Sequence, residues 1–482
     1  MIHRTQFRTS MYKKTMKNSL FALSALFIAL QLHMYATLDG VYAQDQLRGF
    51  ELYQEMGMPG FVQYEGSANI QWLPGDLGYL ETEQINGGTE FFAVAPESAD
   101  RPPLFSKRQL RALLRGLEQE HGEDVEVLPF SSFDYVMENK AIFFVYKNQD
   151  HVFHLEDLTL RALYKPEVER APYTEELMRR METSQLWNGT YSHDYRWFAH
   201  VKGYDIYLVN TETQEEKRLT YGSEEQMNGR PSWVYPEEFG QRDAYWFSPD
   251  NKKIAYLQYN ETDVYQYPII HELEFETGLE LERYPKAGEA NPTVNLFIVD
   301  IETGEVQQVP TNSGPDTYIV RPIWRDNSEE LTFRRFNRKQ DYLEFLSYSL
   351  DAKEVRTIFT EREDAYINLH DNFYQLNDGE HFLWTSEQTG FNQLYVYHFD
   401  GSLVRQLTSG ENPLGSIVRV DQKKSLVYYT AYHNMGLDEY FHVVSFDGES
   451  TQLSESDGRY TISMNEAAEY YVSRSSSFDR PY

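Results

Sequence analysis

"YWFSPDNKKIAYLQYN", residues 245–260, reads as a strand, a tight polar turn and a second strand. Tyr245, Trp246 and Phe247 are side chains that suit a pleated, half-buried surface. Ser248, Pro249, Asp250 and Asn251 supply turn chemistry: proline presets φ, and short polar side chains bond their own backbone. A second apolar and aromatic run follows as far as Asn260.

The pattern recurs along the chain. Related units begin at residues 189, 321, 372, 417 and 460, and weaker ones cover 68–83 and 137–163. Each opens on an aromatic-rich strand and a polar turn. A second apolar strand follows, then a third of the "LYVY" type, then Asp-Gly or Glu-Thr-Gly, then a strand ending near Leu-Thr. Asp-Gly between apolar runs is a hairpin signal. Four short strands at a period of roughly 40–55 residues mark a β-propeller blade. The expected fold is therefore all-β, an eight-bladed β-propeller, with seven blades as the nearest alternative. An array of β-sandwiches would give the same local pattern, but the repeated turn chemistry favours the propeller. The last unit offers only two strands, "RYTISM" and "EYYVSRSS", so the last blade reads as incomplete. Open blades expose strand edges, which proteins avoid; either N-terminal strands close the ring or the sequence is a piece of a longer protein. Helical periodicity is scarce. It is clearest at 107–122, where Leu110, Leu113, Leu114 and Leu117 share one face, and weaker in "TEELMRRMET", 174–183.

Residues 1–43 read as a secretory signal. Arg4, Arg8, Lys13, Lys14 and Lys17 precede the apolar run "SLFALSALFIAL", and "VYA" ends at Ala43. The start lies at Met1, Met11 or Met16. The apolar run is shorter than the roughly 20 residues a spanning helix needs, so no stable membrane span is expected. Residues 44–482 form the propeller domain on this reading. The formal charge of the 482-residue chain is −31, which repels nucleic acid and anionic membranes. There is no Cys, so disulfides and thiolate metal sites are excluded. A leader on a Cys-free chain points to a secreted protein of a bacterial periplasm.

The chemistry of a stand-alone enzyme is missing. No G-x-S-x-G nucleophile elbow occurs; "GESTQ", 448–452, lacks the second glycine and sits in a hairpin pattern. There is no βαβ alternation, Walker loop, H-E-x-x-H or EF-hand. The 13 His are scattered, and His433 reads as part of a polar turn. Neither a metal, nor a cofactor, nor a catalytic residue is expected. Sequons at Asn188 and Asn260 carry little weight in a bacterial protein.

What remains is "PSWVYPEEFG", 231–240, where Glu237 and Glu238 stand among Trp233, Tyr235 and Phe239. Three readings are open. The plainest is a solvated loop, since acids are mostly exposed. A carboxylate pair for acid/base work needs a bent backbone, because neighbours on a strand face opposite ways. A receptor for a cation could offer several oxygens to one ammonium group. Pro236 favours a turn or a helix start over a paired strand, and a helical turn at 236–239 would bring both acids to one rim.

This stretch resembles the W-V-Y-E-E-E segment of the dipeptidyl peptidase IV family of prolyl oligopeptidase-type serine peptidases. The similarity continues through "AYWFSPDNKKIAYLQYNETDV" and "YPKAGEANPTVNLFIVD", 284–300, and more loosely through most of the remaining chain. It implies an eight-bladed propeller capping a serine hydrolase domain, with Glu237 and Glu238 binding the α-ammonium of a peptide so that dipeptides are released. Trp233, Tyr235 and Phe239 would shape that site. The family's third Glu is Pro236 here. The family also uses an Arg from an earlier blade. The corresponding stretch, "FFVYKNQDHVFHL" at 143–155, is shorter and has no Arg; Lys147 is the only stand-in, a point charge rather than a fork. The Ser-Asp-His triad follows the propeller in the family and is absent from this sequence, so the chain is expected to be inactive alone. Residues 265–288 resemble an arm that serves dimer formation. The implied partners are a peptide with a free N-terminus, a separate or downstream hydrolase domain and a second copy, with no nucleic acid. The implied function is that of the substrate-gating propeller of a secreted dipeptidyl peptidase. The alternative is a stand-alone, non-catalytic propeller that binds peptides or proteins.

Overall fold

The computed structural model describes residues 70–477, apart from 76, 86, 99, 167–188, 272–277 and 456. The leader, the second candidate helix and Asn188 lie outside the described residues.

Nearly all of the regular secondary structure described is antiparallel sheet. Sheet one is Gln71–Trp72, Tyr79–Ile85 and Gly88–Val94. Four sheets are plain four-stranded meanders. Sheet two runs from Asp134–Val136 to Leu160–Leu163, and sheet three from Thr190–Tyr191 to Glu216–Arg218. Sheet five runs from Thr317–Trp324 to Glu354–Arg362, and sheet six from Tyr374–Gln375 to Leu403–Gln406. Sheet four has five strands, described below. Sheet seven has six, from Leu414–Asp421 to Tyr471–Ser476. Every repeat unit read from the sequence thus falls on strands. The final two-stranded unit, Arg459–Met464 with Tyr471–Ser476, joins sheet seven through one parallel bridge, Glu439 to Arg459. It does not stand as a sheet of its own.

The aromatic side chains fill the spaces between sheets. Phe345 of sheet five lies 4.9 Å from Trp384 and 5.5 Å from Phe382 of sheet six, and Phe359 stacks on Tyr397 at 4.8 Å. Helix α1, Lys107–His121, performs the same task beside sheet two. A capping box between Ser106 and Gln109 starts it, and Gly122 ends it in the left-handed conformation. Leu113 and Leu117 bury against Phe91, Phe130 and Phe144.

The Ser-Pro-Asp turn of the opening unit proves to be a joint as well as a turn. Tyr245 pairs with Tyr256 across it, as the alternation requires. Asn251 at its tip has φ +59°, a conformation that Asn tolerates. Its Oδ1 accepts the His193 N–H of sheet three at 2.7 Å, and the Asp250 N–H donates to Ser328 Oγ of sheet five at 3.0 Å. An equivalent contact recurs between sheets six and seven, where the Asn377 N–H donates to Gln422 Oε1 at 2.7 Å; within sheet seven, Arg419 donates to the Met464 carbonyl at 3.1 Å. Sheets one and seven are joined in the same manner. The Trp72 indole N–H donates to Ser463 Oγ at 3.1 Å, and the Gly75 N–H donates to Glu466 at 3.0 Å.

The first strand of sheet four is broken in two. Gln226–Asn228 pairs with one end of Lys253–Asn260, and Tyr245–Phe247 pairs with the other. The sheet continues through Thr293–Asp300 to Val306–Gln308. Between the two halves the chain leaves the sheet at Gly229, whose N–H donates to the Leu257 carbonyl, and returns at Ala244, whose carbonyl accepts the Leu257 N–H. Gly229 has φ +70°, and a Cβ there would come within 2.5 Å of Ile206. The excursion carries the two acids. A second excursion, after Asn260, carries the hairpin Gln266–His271 with Gly278–Arg283.

Trp72→Ala is expected to cost about 2 kcal/mol of unfolding free energy, from lost aromatic contacts and the unpaired Ser463. Urea unfolding followed by circular dichroism tests this. A change below about 0.5 kcal/mol would mean that sheets one and seven are held together elsewhere.

Candidate functional site

The excursion from sheet four folds into helix α2, Val234–Phe239. It starts two residues before the turn read from Pro236. Proline fits there because backbone N–H groups in a first helical turn have no intrahelical acceptor. Gly240 ends the helix with φ +60°, donating its N–H to the Tyr235 carbonyl. Tyr235 and Phe239, four residues apart, share one face and are buried. Tyr235 packs 4.6 Å from Tyr259, and Phe239 packs 4.9 Å from Tyr318. The Tyr235 hydroxyl accepts the Ile319 N–H at 3.3 Å.

This burial decides where the acids go. On a strand, adjacent side chains would point oppositely; on a helix they are about 100° apart. With Tyr235 and Phe239 facing inward, Glu237 and Glu238 are both exposed. Among the described residues, neither forms an ion pair with a Lys, Arg or His. Two adjacent exposed carboxylates concentrate negative charge on this part of the excursion.

The predicted shaping residues divide between two places. Tyr235 and Phe239 lie beneath the helix as its support. Trp233, 37% exposed, stays on the rim, with its ring edge-on to Tyr284 at 4.3 Å. Tyr284 in turn meets Tyr267 of the hairpin arm at 5.8 Å. Lys147 occupies the tip of a sheet-two hairpin, at φ +49°, and its Nζ pairs with Glu123 at 2.5 Å. No contact among the described residues links it to α2.

Sequence reasoning missed the residues that hold α2 in place. Gln340 Nε2 donates to Glu238 Oε2 at 3.3 Å. The Tyr318 hydroxyl, which accepts from the Asn291 amide at 2.7 Å, titrates above its ordinary range. Burial is the main cause and the charge of Glu238 adds to it, partly offset by the Asn291 bond. Arg321 clamps the helix C-terminus. Its Nη2 donates to the Phe239 carbonyl at 2.9 Å, its backbone N–H donates to Gln241 Oε1 at 2.9 Å, and its guanidinium forks onto Asp371 at 2.6 and 3.1 Å. To do so it adopts φ +50°, where the pairing register of its strand breaks between Val320 and Ile323. A lone Arg before Pro322 in an otherwise apolar run, "YIVRPIW", was the one sequence signal available. A cavity of about 430 Å3 lies alongside, lined by Gln241, Arg242, Trp246, Arg321, Trp324 and Asp371.

Burial opposes charge on Asp371, but the hydrogen bond and charge of Arg321, with Arg334 and His370 behind, outweigh it and lower its titration point. A depressed carboxyl stabilises the fold above its unfolded pKa of about 3.9 and loses that contribution as pH falls through the folded value. The stability gap between the wild-type protein and Arg321→Gln should therefore be full above about pH 4 and narrow in stronger acid, where the bond to the Phe239 carbonyl remains. Thermal melts across pH check this; a gap that widens in acid would contradict it.

A family model described as "Dipeptidyl peptidase IV (DPP IV) N-terminal region" matches residues 140–482. Dipeptidyl peptidase 4 of Trichophyton tonsurans is 34% identical over 293 residues, covering 57% of this chain and 37% of that protein. Dipeptidyl peptidase 4 of Trichophyton equinum is likewise 34% identical, with the same coverage. The chain thus spans well under half the length of these curated relatives. Among solved structures, the dipeptidyl peptidase 4 of Porphyromonas gingivalis superposes with a TM-score of 0.64 at 21% identity. That match covers 88% of this chain and 57% of the other, and it is a likeness of fold. The repeat sheets, the two-part strand carrying the acid pair and the extent of the family match lead to one assignment: the chain belongs to the dipeptidyl peptidase IV N-terminal region family and has its propeller fold.

Proposed function

We propose that this chain is the substrate-gating propeller of a secreted dipeptidyl peptidase, and that Glu237 and Glu238 receive the free α-ammonium of a peptide. The observation that carries the reading is the exposed acid pair, without a basic partner among the described residues, held on a helix whose apolar side is buried. An ammonium group has three N–H donors, and two carboxylates on one rim can accept them all. Each charge-assisted bond contributes roughly 1.5–3 kcal/mol, enough to favour free over blocked N-termini. The relatives' names, dipeptidyl peptidase 4, fit a site that measures two residues from a peptide's amino end.

On this reading the repeats form a propeller of eight blades, or of the seven that the sheets among the described residues would supply. The final pair of strands meets sheet one through Trp72–Ser463 and Gly75–Glu466. Peptide cleavage belongs to a hydrolase domain beyond these residues. Residues 1–43 serve as the leader to a periplasmic or extracellular address, and residues 44–482 form the propeller domain. Lys147 is a weak second contact at most, since Glu123 already engages it. A stand-alone peptide-binding propeller is the second reading.

The test of the site is calorimetry with Ala-Ala amide and its N-acetyl counterpart. The wild-type chain should bind the free amine and not the blocked one, and Glu237→Gln with Glu238→Gln should abolish binding. Equal binding before and after the double change would refute the ammonium site.

The hairpin arm supports a dimer. Ile270 and Leu279 pair across it and are 57% and 65% exposed, with Leu281 and Tyr265 also on the surface. Contiguous exposed apolar residues mark interfaces. Ile270→Glu with Leu279→Glu should convert a dimer to a monomer in analytical ultracentrifugation without lowering the melting temperature. A wild-type chain that is monomeric at micromolar concentration would rule out this role for the arm.

A further inference from the structure

Glu237 and Glu238 are adjacent and of one type, yet the structure treats them differently. Glu238 Oε2 accepts a hydrogen bond from Gln340 Nε2, 102 residues away on the turn between the second and third strands of sheet five. Glu237 has no such partner among the described residues. Gln340 is itself tightly held. It is 7% exposed and adopts φ +56°. Its N–H donates to the Asn337 carbonyl at 2.9 Å, and its carbonyl accepts the Ile367 N–H at 2.8 Å. Asn337 braces the same turn by accepting the N–H groups of Asp341 and Tyr342 and donating to the Asp341 carboxylate.

The orientation of the Gln340 amide follows from chemistry. An ionised carboxylate only accepts, so the NH2 end must face Glu238. That turns Oε1 the other way, where the Tyr366 hydroxyl donates to it at 3.0 Å. The three side chains form a directed relay, from Tyr366 hydroxyl to Gln340 amide to Glu238 carboxylate. Relays of this kind polarise each member and hold it in place.

We infer that Gln340 and Tyr366 are positioning residues of the ammonium site, fixing Glu238 as its rigid anchor. The inference rests on the ammonium reading of the acid pair. With Gln340 on Oε2, the second oxygen of Glu238 and both oxygens of Glu237 remain, three acceptors for the three N–H donors of an ammonium group. Glu238 then sets the position of the bound nitrogen, and Glu237 adapts to it. Pre-ordering one carboxylate lowers the side-chain entropy lost on binding.

The experiment is a double-mutant cycle on the full chain, with calorimetric affinity for Ala-Ala amide as the readout. Gln340→Gly suits the left-handed backbone, so the turn is kept and only the amide is lost. It should weaken binding roughly fivefold in the wild-type background, the scale of about one hydrogen bond. It should do the same with Glu237→Ala and have no effect with Glu238→Ala. A purely structural role for Gln340 would weaken binding equally in all three backgrounds, and that result overturns the inference. Tyr366→Phe, a surface change that leaves the packing of the turn intact, should show the same dependence on Glu238 with a smaller loss. No loss from Gln340→Gly in the wild-type chain, while the double Glu change abolishes binding, overturns the relay and leaves the ammonium site standing. Binding that survives the double Glu change overturns both.

Discussion

A sheet of three or four short strands cannot bury its own two faces, and the whole structure depends on that constraint. Each sheet must find a neighbour, and the aromatic side chains at the interfaces are what make neighbouring sheets adhere. Phe345 serves both sides of one interface, touching Phe359 within its own sheet and Trp384 in the next. Burial of such rings is the dominant favourable term, and it is without direction. Direction comes from the turns. Asn251, Ser328, Gln422 and Glu466 each reach across to a backbone N–H of another sheet. Apolar packing sets how close the sheets come, and the polar turns set their order and register.

The same division of labour appears in miniature in α2. Two of its side chains, Tyr235 and Phe239, anchor it among Tyr259, Tyr318 and Phe336. Two others, Glu237 and Glu238, are exposed and have no basic partner among the described residues. The burial beneath fixes the helix, and with it the direction in which both carboxylates leave it.

The parts of this structure legible in the sequence are those that depend on near neighbours. The 245–260 hairpin follows from alternation and a Ser-Pro-Asp turn, and α1 follows from leucine spacing. The arm is equally local. The acid pair stood out because two charges interrupt an aromatic run, though its helix begins earlier than Pro236 suggested. Gln340, Arg321 and Tyr366 were not legible. Their partners lie 26 to 102 residues away, and nothing in "NRKQDY" distinguishes a turn glutamine that holds a carboxylate from one that faces water. Arg321 depends further on a register break, which no periodicity reveals. The merging of the last two strands into sheet seven turns on a single bridge, a detail beneath the resolution of a repeat pattern.

These long-range contacts explain why a helix this short exists at all. Six residues make too few hydrogen bonds to offset the cost of nucleation, so α2 would not persist as a peptide. Three elements hold it. Trp233 ties its start to the base of the arm through Tyr284. Gln340 reaches its outer face from a turn of sheet five. Arg321, on the first strand of that same sheet, clamps its end through the Phe239 carbonyl. Two of the three contacts come from sheet five, whereas the helix itself belongs to sheet four. The acid pair is therefore a property of two adjoining sheets, and a shift of one against the other would move Glu238 relative to Gln340 before it disturbed either sheet's own ladder.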